Sequence, residues 1–183
     1  MGMDVIGKNP SSETGEYFRA NVWWWRPIAE ISIHFAPEVC AKCEHWGSND
    51  GDGLDAEGSK VLAEALQGAI EKGLVGDYIK DRERQLAALP LVPCEFCKGT
   101  GVRTDDVGIK HGLPETMITA EYLAMSRFAE NPESHPRFGQ KGSCNGCHGA
   151  GNNPDWRTRY PASLEAVQEW VAFLKDCGGF EIC

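Results

Sequence analysis

The chain has 183 residues, of which 42% are hydrophobic and 25% charged, an ordinary globular balance that excludes a disordered or fibrous chain. Its 27 Asp and Glu against 18 Lys and Arg give a formal net charge of −9, with no basic face of the kind that displaces counterions from phosphates, so extended nucleic acid is not expected as a partner. No apolar run approaches the roughly 18–20 residues that span a bilayer, and the opening MGMDVIGKNPSSETGEYF lacks the apolar stretch of a secretory signal, so a soluble, cytoplasmic protein with no membrane partner is expected.

Residues 1–15 are polar and rich in Gly, Ser and Pro, and read as a flexible N-terminal arm. Residues 16–93 read as the first part of a helical domain. Pro27 suits the first turn of a helix, because its fixed φ fits and the donor it lacks has no helical partner there. Ile28, Ile31 and Phe35 then share one face until Pro37 ends the run. The loop GSNDGDGLDAEG (47–58) is acidic, but an EF-hand register starting at Ser48 puts Ser59 where the twelfth-position Glu is needed, so it reads as a solvated loop. A helix from Asp55 or Ser59 to Lys72 carries the stripe Val61, Leu62, Ala65, Leu66, Ala69 and Ile70, with Gly73 as its stop. A second runs from Val75 to Leu89 and ends at Pro90.

Residues 94–151 form a Gly-rich module with one helical insert, Pro114 to Ala129. In residues 152–183 a last helix is capped by Ser163, has Glu165 near its positive end and Gly178 beyond it, and packs back on the helical domain. Its buried seam is Leu164, Val167, Val171 and Leu174, with Trp170 beside them. The expected fold is therefore mainly α, four to five helices around one core with an inserted zinc-knuckle module. The acid excess is uneven: residues 1–93 sum to −6, residues 94–160 to 0 and residues 161–183 to −3. The stretch that contains the module thus has no net side-chain charge, and the acid lies in the helices.

Six of the eight cysteines fall in C-x-x-C pairs, which in a cytosolic chain point to metal or redox chemistry before structural disulfides. CEFCKGTG (94–101) is matched by CNGCHGAG (144–151). Two intervening residues let a tight turn aim both sulfurs at one zinc, and the glycines allow positive φ and close backbone approach. Cys94, Cys97, Cys144 and Cys147 are the expected ligands of one structural zinc, closed to water because all four positions are filled. His148 is an alternative ligand within the second knuckle. The third pair, Cys40 and Cys43, has no Gly tail. A second zinc with two of His34, His45, Cys177 and Cys183, a thiol oxidoreductase site, and plain packing all stay open for it.

The two C-x-x-C-x-G-x-G segments resemble the zinc-binding repeats of DnaJ-type co-chaperones. That resemblance spans sixteen residues and implies the zinc site at Cys94, Cys97, Cys144 and Cys147. DnaJ proteins carry four such repeats and this chain has two, so one zinc is implied. No His-Pro-Asp signature is present, and a co-chaperone role does not transfer. The larger framework, from the Trp-Arg-Pro segment through Gly53-Leu54-Asp55-Ala56-Glu57, resembles small phage and bacterial proteins. That likeness implies an accessory protein that binds a host factor or sequesters a nucleotide immune signal.

Three consecutive indoles, Trp23, Trp24 and Trp25, cannot all face one core. With Arg26 at the mouth of the following helix, and Arg19 as a further cation, they are the candidate pocket for a small phosphorylated or nucleotide-like ligand. Arg103 and Arg137 are additional candidate cations. No catalytic residue is expected: there is no Gly-x-Ser-x-Gly elbow, Walker loop or zinc-peptidase pair, and Pro93-Cys94-Glu95-Phe96-Cys97 has no upstream His-x-Glu to make a deaminase. A non-catalytic, zinc-stabilised binding protein follows, with an adaptor for a host protein as the alternative. Nothing in the sequence sets the oligomeric state.

Overall fold

The computed structural model describes residues 2–183, and of Asn21 and Val22 the backbone only. The chain divides into two compact units, one formed by residues up to Ala88 together with Trp156–Cys183, the other by Leu89–Asp155. In chain order the first unit contains β1 (Gly2–Gly7), β2 (Tyr17–Asn21), α1 (Val22–Phe35), α2 (Pro37–Cys40), β3 (Asp52–Leu54), α3 (Ala56–Glu71) and α4 (Leu74–Ala87). The second contains β4 (Val92–Pro93), α5 (Asp106–Lys110), α6 (Ala120–Leu123) and β5 (Asn152–Asn153), and α7 (Leu164–Asp176) and β6 (Phe180–Ile182) then complete the first.

The fold is a mix of helix and sheet, which corrects the expectation of a mainly α protein. Four antiparallel strands in the order β2-β1-β6-β3 make one sheet. Residues 2–7, expected within a loose arm, are its second strand. They are ordered by pairing with both ends of the chain: Val5 stands opposite Phe18 on one side and Ile182 on the other. Strand alternation puts Met3, Val5, Ala20, Leu54, Phe180 and Ile182 inside, while Asp4, Arg19 and Glu181 face away.

The helices cover the apolar side of this sheet. Trp170 of α7 lies at the centre, fully buried, with the rings of Phe18, Trp25, Phe173 and Phe180 at centroid distances of 5.0, 5.3, 5.3 and 5.2 Å. Its indole N–H donates to the buried Ser32 hydroxyl at 3.2 Å, so the polar edge of the ring is satisfied. Leu62 and Leu66 of α3 and Val167, Val171 and Leu174 of α7 close the core from the expected stripes, whereas Val61 and Leu164, expected in the same stripes, are 42% and 40% exposed.

Helix ends follow local chemistry. Asp55 accepts the Gly58 N–H at 2.7 Å and starts α3, and Gly73, at φ +74°, stops it. Ser163 accepts the Ala166 N–H at 3.0 Å and starts α7. Two expectations fail here. α1 begins at Val22 and not at Pro27, which stands inside the helix. Pro27 gives no N–H to the carbonyl four residues back, so tertiary packing holds this first part, with Trp25 sealed in the core. The helical insert from Pro114 to Ala129 is also shorter, reduced to a single turn, α6, after a 3-10 turn at Leu113–Glu115. The Ser126 hydroxyl bonds back to the Leu123 carbonyl, offering the backbone a turn in place of a longer helix. Among the described residues no helix is long and apolar enough to cross a membrane.

Candidate metal centre

In the second unit the two knuckles are joined at their bases. β4 and β5 pair through Val92–Asn153 and Pro93–Asn152, and the Cys94 N–H continues the ladder by donating to the Gly151 carbonyl at 2.9 Å. The two segments then fold alike. The residue after each second cysteine is left-handed, Lys98 at φ +52° and His148 at φ +50°. Gly101 and Gly151 follow at +79° and +81°, and their N–H groups donate to Cys97 Sγ at 3.3 Å and Cys147 Sγ at 3.2 Å.

The knuckles approach each other through these fourth-position glycines. A Cβ on Gly101 would stand 2.4 Å from the Gly149 carbonyl oxygen, and one on Gly151 would stand 2.4 Å from that of Gly99. This reciprocal backbone contact is what the Gly-x-Gly spacing allows, and no side chain fits in it.

The result is a buried cluster of four sulfurs, all within 4.8 Å of one another. Cys94 Sγ and Cys144 Sγ are 3.8 Å apart, and Cys97 Sγ and Cys147 Sγ 3.7 Å. Sulfurs ~2.3 Å from one tetrahedral ion stand about 3.8 Å from each other, whereas a disulfide needs about 2.05 Å. The spacing fits metal ligands, so Cys94, Cys97, Cys144 and Cys147 could hold one metal ion. Burial pushes the Cys144 and Cys147 thiols up, and charge on neighbouring thiols adds to this. Burial also opposes ionisation of Cys97, but N–H donation from Gly101 and Gly99 and hydrogen bonds with Cys147 and Cys94 bring it below its ordinary value. Four thiolates at this spacing need a cation among them.

A supporting shell surrounds the sulfurs. Arg103 is buried and lies 4.6 Å over the Phe96 ring. It holds both oxygens of Asp105 at 2.8 and 3.0 Å and the Asn145 side-chain oxygen at 3.0 Å. The Asp105 hydrogen bond pushes Arg103 upward, and negative charge on Cys144 and Cys94 acts in the same direction, so a fixed cation stands beside the cluster. The Phe96 ring packs on Gly146, its counterpart in the second knuckle, where a Cβ would meet the ring at 2.2 Å. The large-for-small exchange between CEFC and CNGC is the sequence signal for this shell. His148, the alternative ligand, stands outside the cluster with its ring on Tyr122.

Cys40 and Cys43 are buried, each with a thiol pushed up to about 12, first by burial, and among the described residues they form no cluster with His34, His45, Cys177 or Cys183.

The five candidate ligand-binding residues do not form one pocket. Trp25 is core, its N–H donating to the Trp46 carbonyl at 2.5 Å. Trp24 and Arg19 line a cleft of about 450 Å³ with Glu165 and Glu169. Trp23, 42% exposed, packs on Tyr160 at 5.1 Å. The Arg26 guanidinium lies 5.0 Å over Tyr160 and 5.5 Å over Trp156, residues that carry no local motif and were missed in the sequence. Arg137 belongs to the second unit, donating to the Lys141 carbonyl at 2.7 Å.

No protein-family model, curated protein or solved structure matches the chain. The likeness to DnaJ repeats therefore rests on the sixteen knuckle residues alone, and the phage and bacterial likeness gains no support.

Proposed function

We propose that this chain is a zinc-stabilised binding protein in which Cys94, Cys97, Cys144 and Cys147 hold one structural zinc ion. The observation that carries this reading is the pair of Sγ separations, 3.8 and 3.7 Å, in a buried four-thiol cluster. Four thiol ligands favour zinc over magnesium or calcium, and a filled tetrahedron leaves no place for an activated water. When bound, the metal contributes folding free energy to a unit whose own apolar core is small, centred on Leu113, Ile118 and Leu123. Gly101 and Gly151 supply N–H donors to the sulfurs, and Arg103 balances the residual negative charge. Elemental analysis of purified protein should give one zinc per chain, lost in Cys94→Ser/Cys144→Ser, with amide protection across 94–151 falling on chelation. Metal-free protein with unchanged protection would refute the reading.

The ligand we infer is small and phosphorylated, as a nucleotide is, and it docks at Arg26. What supports this is the stacked guanidinium: Arg26 is held over two rings with no carboxylate partner among the described residues, so its planar donors stay free for phosphate. Calorimetry with a panel of nucleoside mono-, di- and cyclic phosphates tests it. Binding that Arg26→Ala leaves intact, or none at all, would sink it. The adaptor reading has one observation of its own: Ile109 and Met125, 63% and 93% exposed, present apolar surface on the second unit. A host protein lost on deleting residues 98–143 would favour it. The oxidoreductase reading runs against the burial and high thiol pKa of Cys40 and Cys43, the reverse of a reactive thiolate.

A further inference from the structure

The sheet of the first unit ends at β2, which has β1 on one side and no strand on the other among the described residues. Edge strands that avoid self-association carry Lys, Pro or a bulge, or are covered. β2 reads YFRAN, pairs in regular register with β1, and carries neither Lys nor Pro. Beside its Phe18, Arg19 and Ala20 opens the cleft of about 450 Å³. Two helices wall this cleft, and each presents residues one turn apart: Trp24 and Ile28 from α1, Glu165 and Glu169 from the start of α7. Three residues of the edge strand thus form one side of the cleft, and α1 and α7 form the others.

The charges say what would fill it. Glu165 and Glu169 are both exposed and have no ion-pair partner among the described residues, although their faces are turned to the cleft. Trp24 stands on the opposite wall, where an indole takes the stem or the charge of a long cationic side chain. Arg19 sits between Phe18 and Ala20 on the strand, and those two are inward-facing, so its side chain belongs to the outer face of the sheet. The cleft side is therefore acidic and aromatic, and the net charge of −9 attracts a basic segment from a distance.

We propose that this cleft binds an extended basic peptide segment, which adds to β2 as a fifth strand and places alternate Lys or Arg side chains against Glu165, Glu169 and Trp24. Backbone pairing supplies the affinity and the acidic wall the selectivity, as in other cases of strand addition. None of the residues that line it belongs to the four-cysteine cluster or to the stack of Arg26 on Tyr160 and Trp156.

The probe is fluorescein-labelled acetyl-(Lys-Thr)4-amide added to the full chain, read by anisotropy and by hydrogen exchange. Saturable binding is expected, with slowed exchange at the β2 amides. Glu165→Gln/Glu169→Gln should weaken it roughly tenfold, about the size expected for two exposed ion pairs. Both residues are exposed, so this variant keeps the fold. A peptide N-methylated at every second residue should fail on one edge, and the (Glu-Thr)4 analogue should not bind. The proposal is overturned by absence of binding, by equal binding of the acidic peptide, or by affinity unchanged in the double variant. It is equally overturned if the β2 amides gain protection with rising protein concentration alone, since the edge then pairs with a second copy.

Discussion

Gly151→Ala separates the two demands that the knuckle places on its glycines. At φ +81° an L residue costs about 1–2 kcal/mol in conformational strain. The new Cβ would also stand 2.4 Å from the Gly99 carbonyl oxygen, both groups being backbone, so the two knuckles must part by about 1 Å to restore ordinary contact. That shift disrupts the Cys94 N–H bond to the Gly151 carbonyl and the Gly151 N–H bond to Cys147 Sγ, each worth about 1 kcal/mol. The expected total is about 3–4 kcal/mol. Gly112→Ala is the control, because Gly112 lies in the same unit at φ +64° with nothing within 4 Å of the added carbon. It carries the strain alone. The difference of about 2 kcal/mol corresponds to roughly 30-fold in metal affinity, which a competition titration against a chromogenic chelator resolves. Gly151→Ala binding metal within a factor of about three of Gly112→Ala would refute the argument from close approach.

Trp170→Ala should destabilise the first unit by roughly 3–5 kcal/mol in a urea titration, since it empties the centre of the aromatic cluster and strands the Ser32 hydroxyl; a loss below about 1 kcal/mol would contradict that placement. Asp52→Asn should cost roughly 1 kcal/mol near neutral pH, because the carboxylate accepts N–H groups from His45, Glu44 and Gly53, which together hold it below the usual carboxylate range. A depressed folded pKa gives stability above the ordinary Asp value that is lost as pH falls through the folded one, so wild type and variant should converge in acid. Cys40 and Cys43 titrate with the opposite sign. Their folded thiols are raised to about 12, so the stability they contribute is complete below the ordinary thiol value of about 8.5 and declines as pH rises toward 12. The stability advantage of wild type over Cys40→Ala/Cys43→Ala should shrink between about pH 8 and about pH 10. An advantage that grows instead would reverse the assignment.

The four-cysteine cluster was legible because the determinants of each half are local. A turn of eight residues contains both sulfurs, the left-handed residue and the glycines, so spacing alone carries the geometry of each half. The cap at Ser163 and the buried Leu62, Leu66 and Ala69 of the α3 stripe were legible for the same reason, and Asp55 was one of two starts left open for α3. The sheet was not. β1 is a glycine-flanked hexapeptide with a single apolar alternation, β3 and β6 have three residues each, and the pairing of Val5 with Ile182 joins residues at opposite ends of the chain. A strand of that length has too few alternations to declare itself before its partner is present.

The tryptophan segment shows the same division. Its sequence correctly requires that the three indoles part company, because consecutive side chains point in different directions on any regular backbone. Which indole goes where depended on what packs around α1: Trp25 enters the core under Trp46 and Trp170, Trp24 turns to the cleft, and Trp23 meets Tyr160. The partners of Arg26, Trp156 and Tyr160, stand about 130 residues away in the chain and are supplied by tertiary structure alone. By itself the sequence determined the four cysteines, their glycines and the Ser163 cap that starts α7, since each is fixed by steric and hydrogen-bonding rules within one turn. The sheet, its open edge at β2 and the setting of Arg26 were decided only when distant segments met, because burial and strand pairing are properties of the contact and not of either segment.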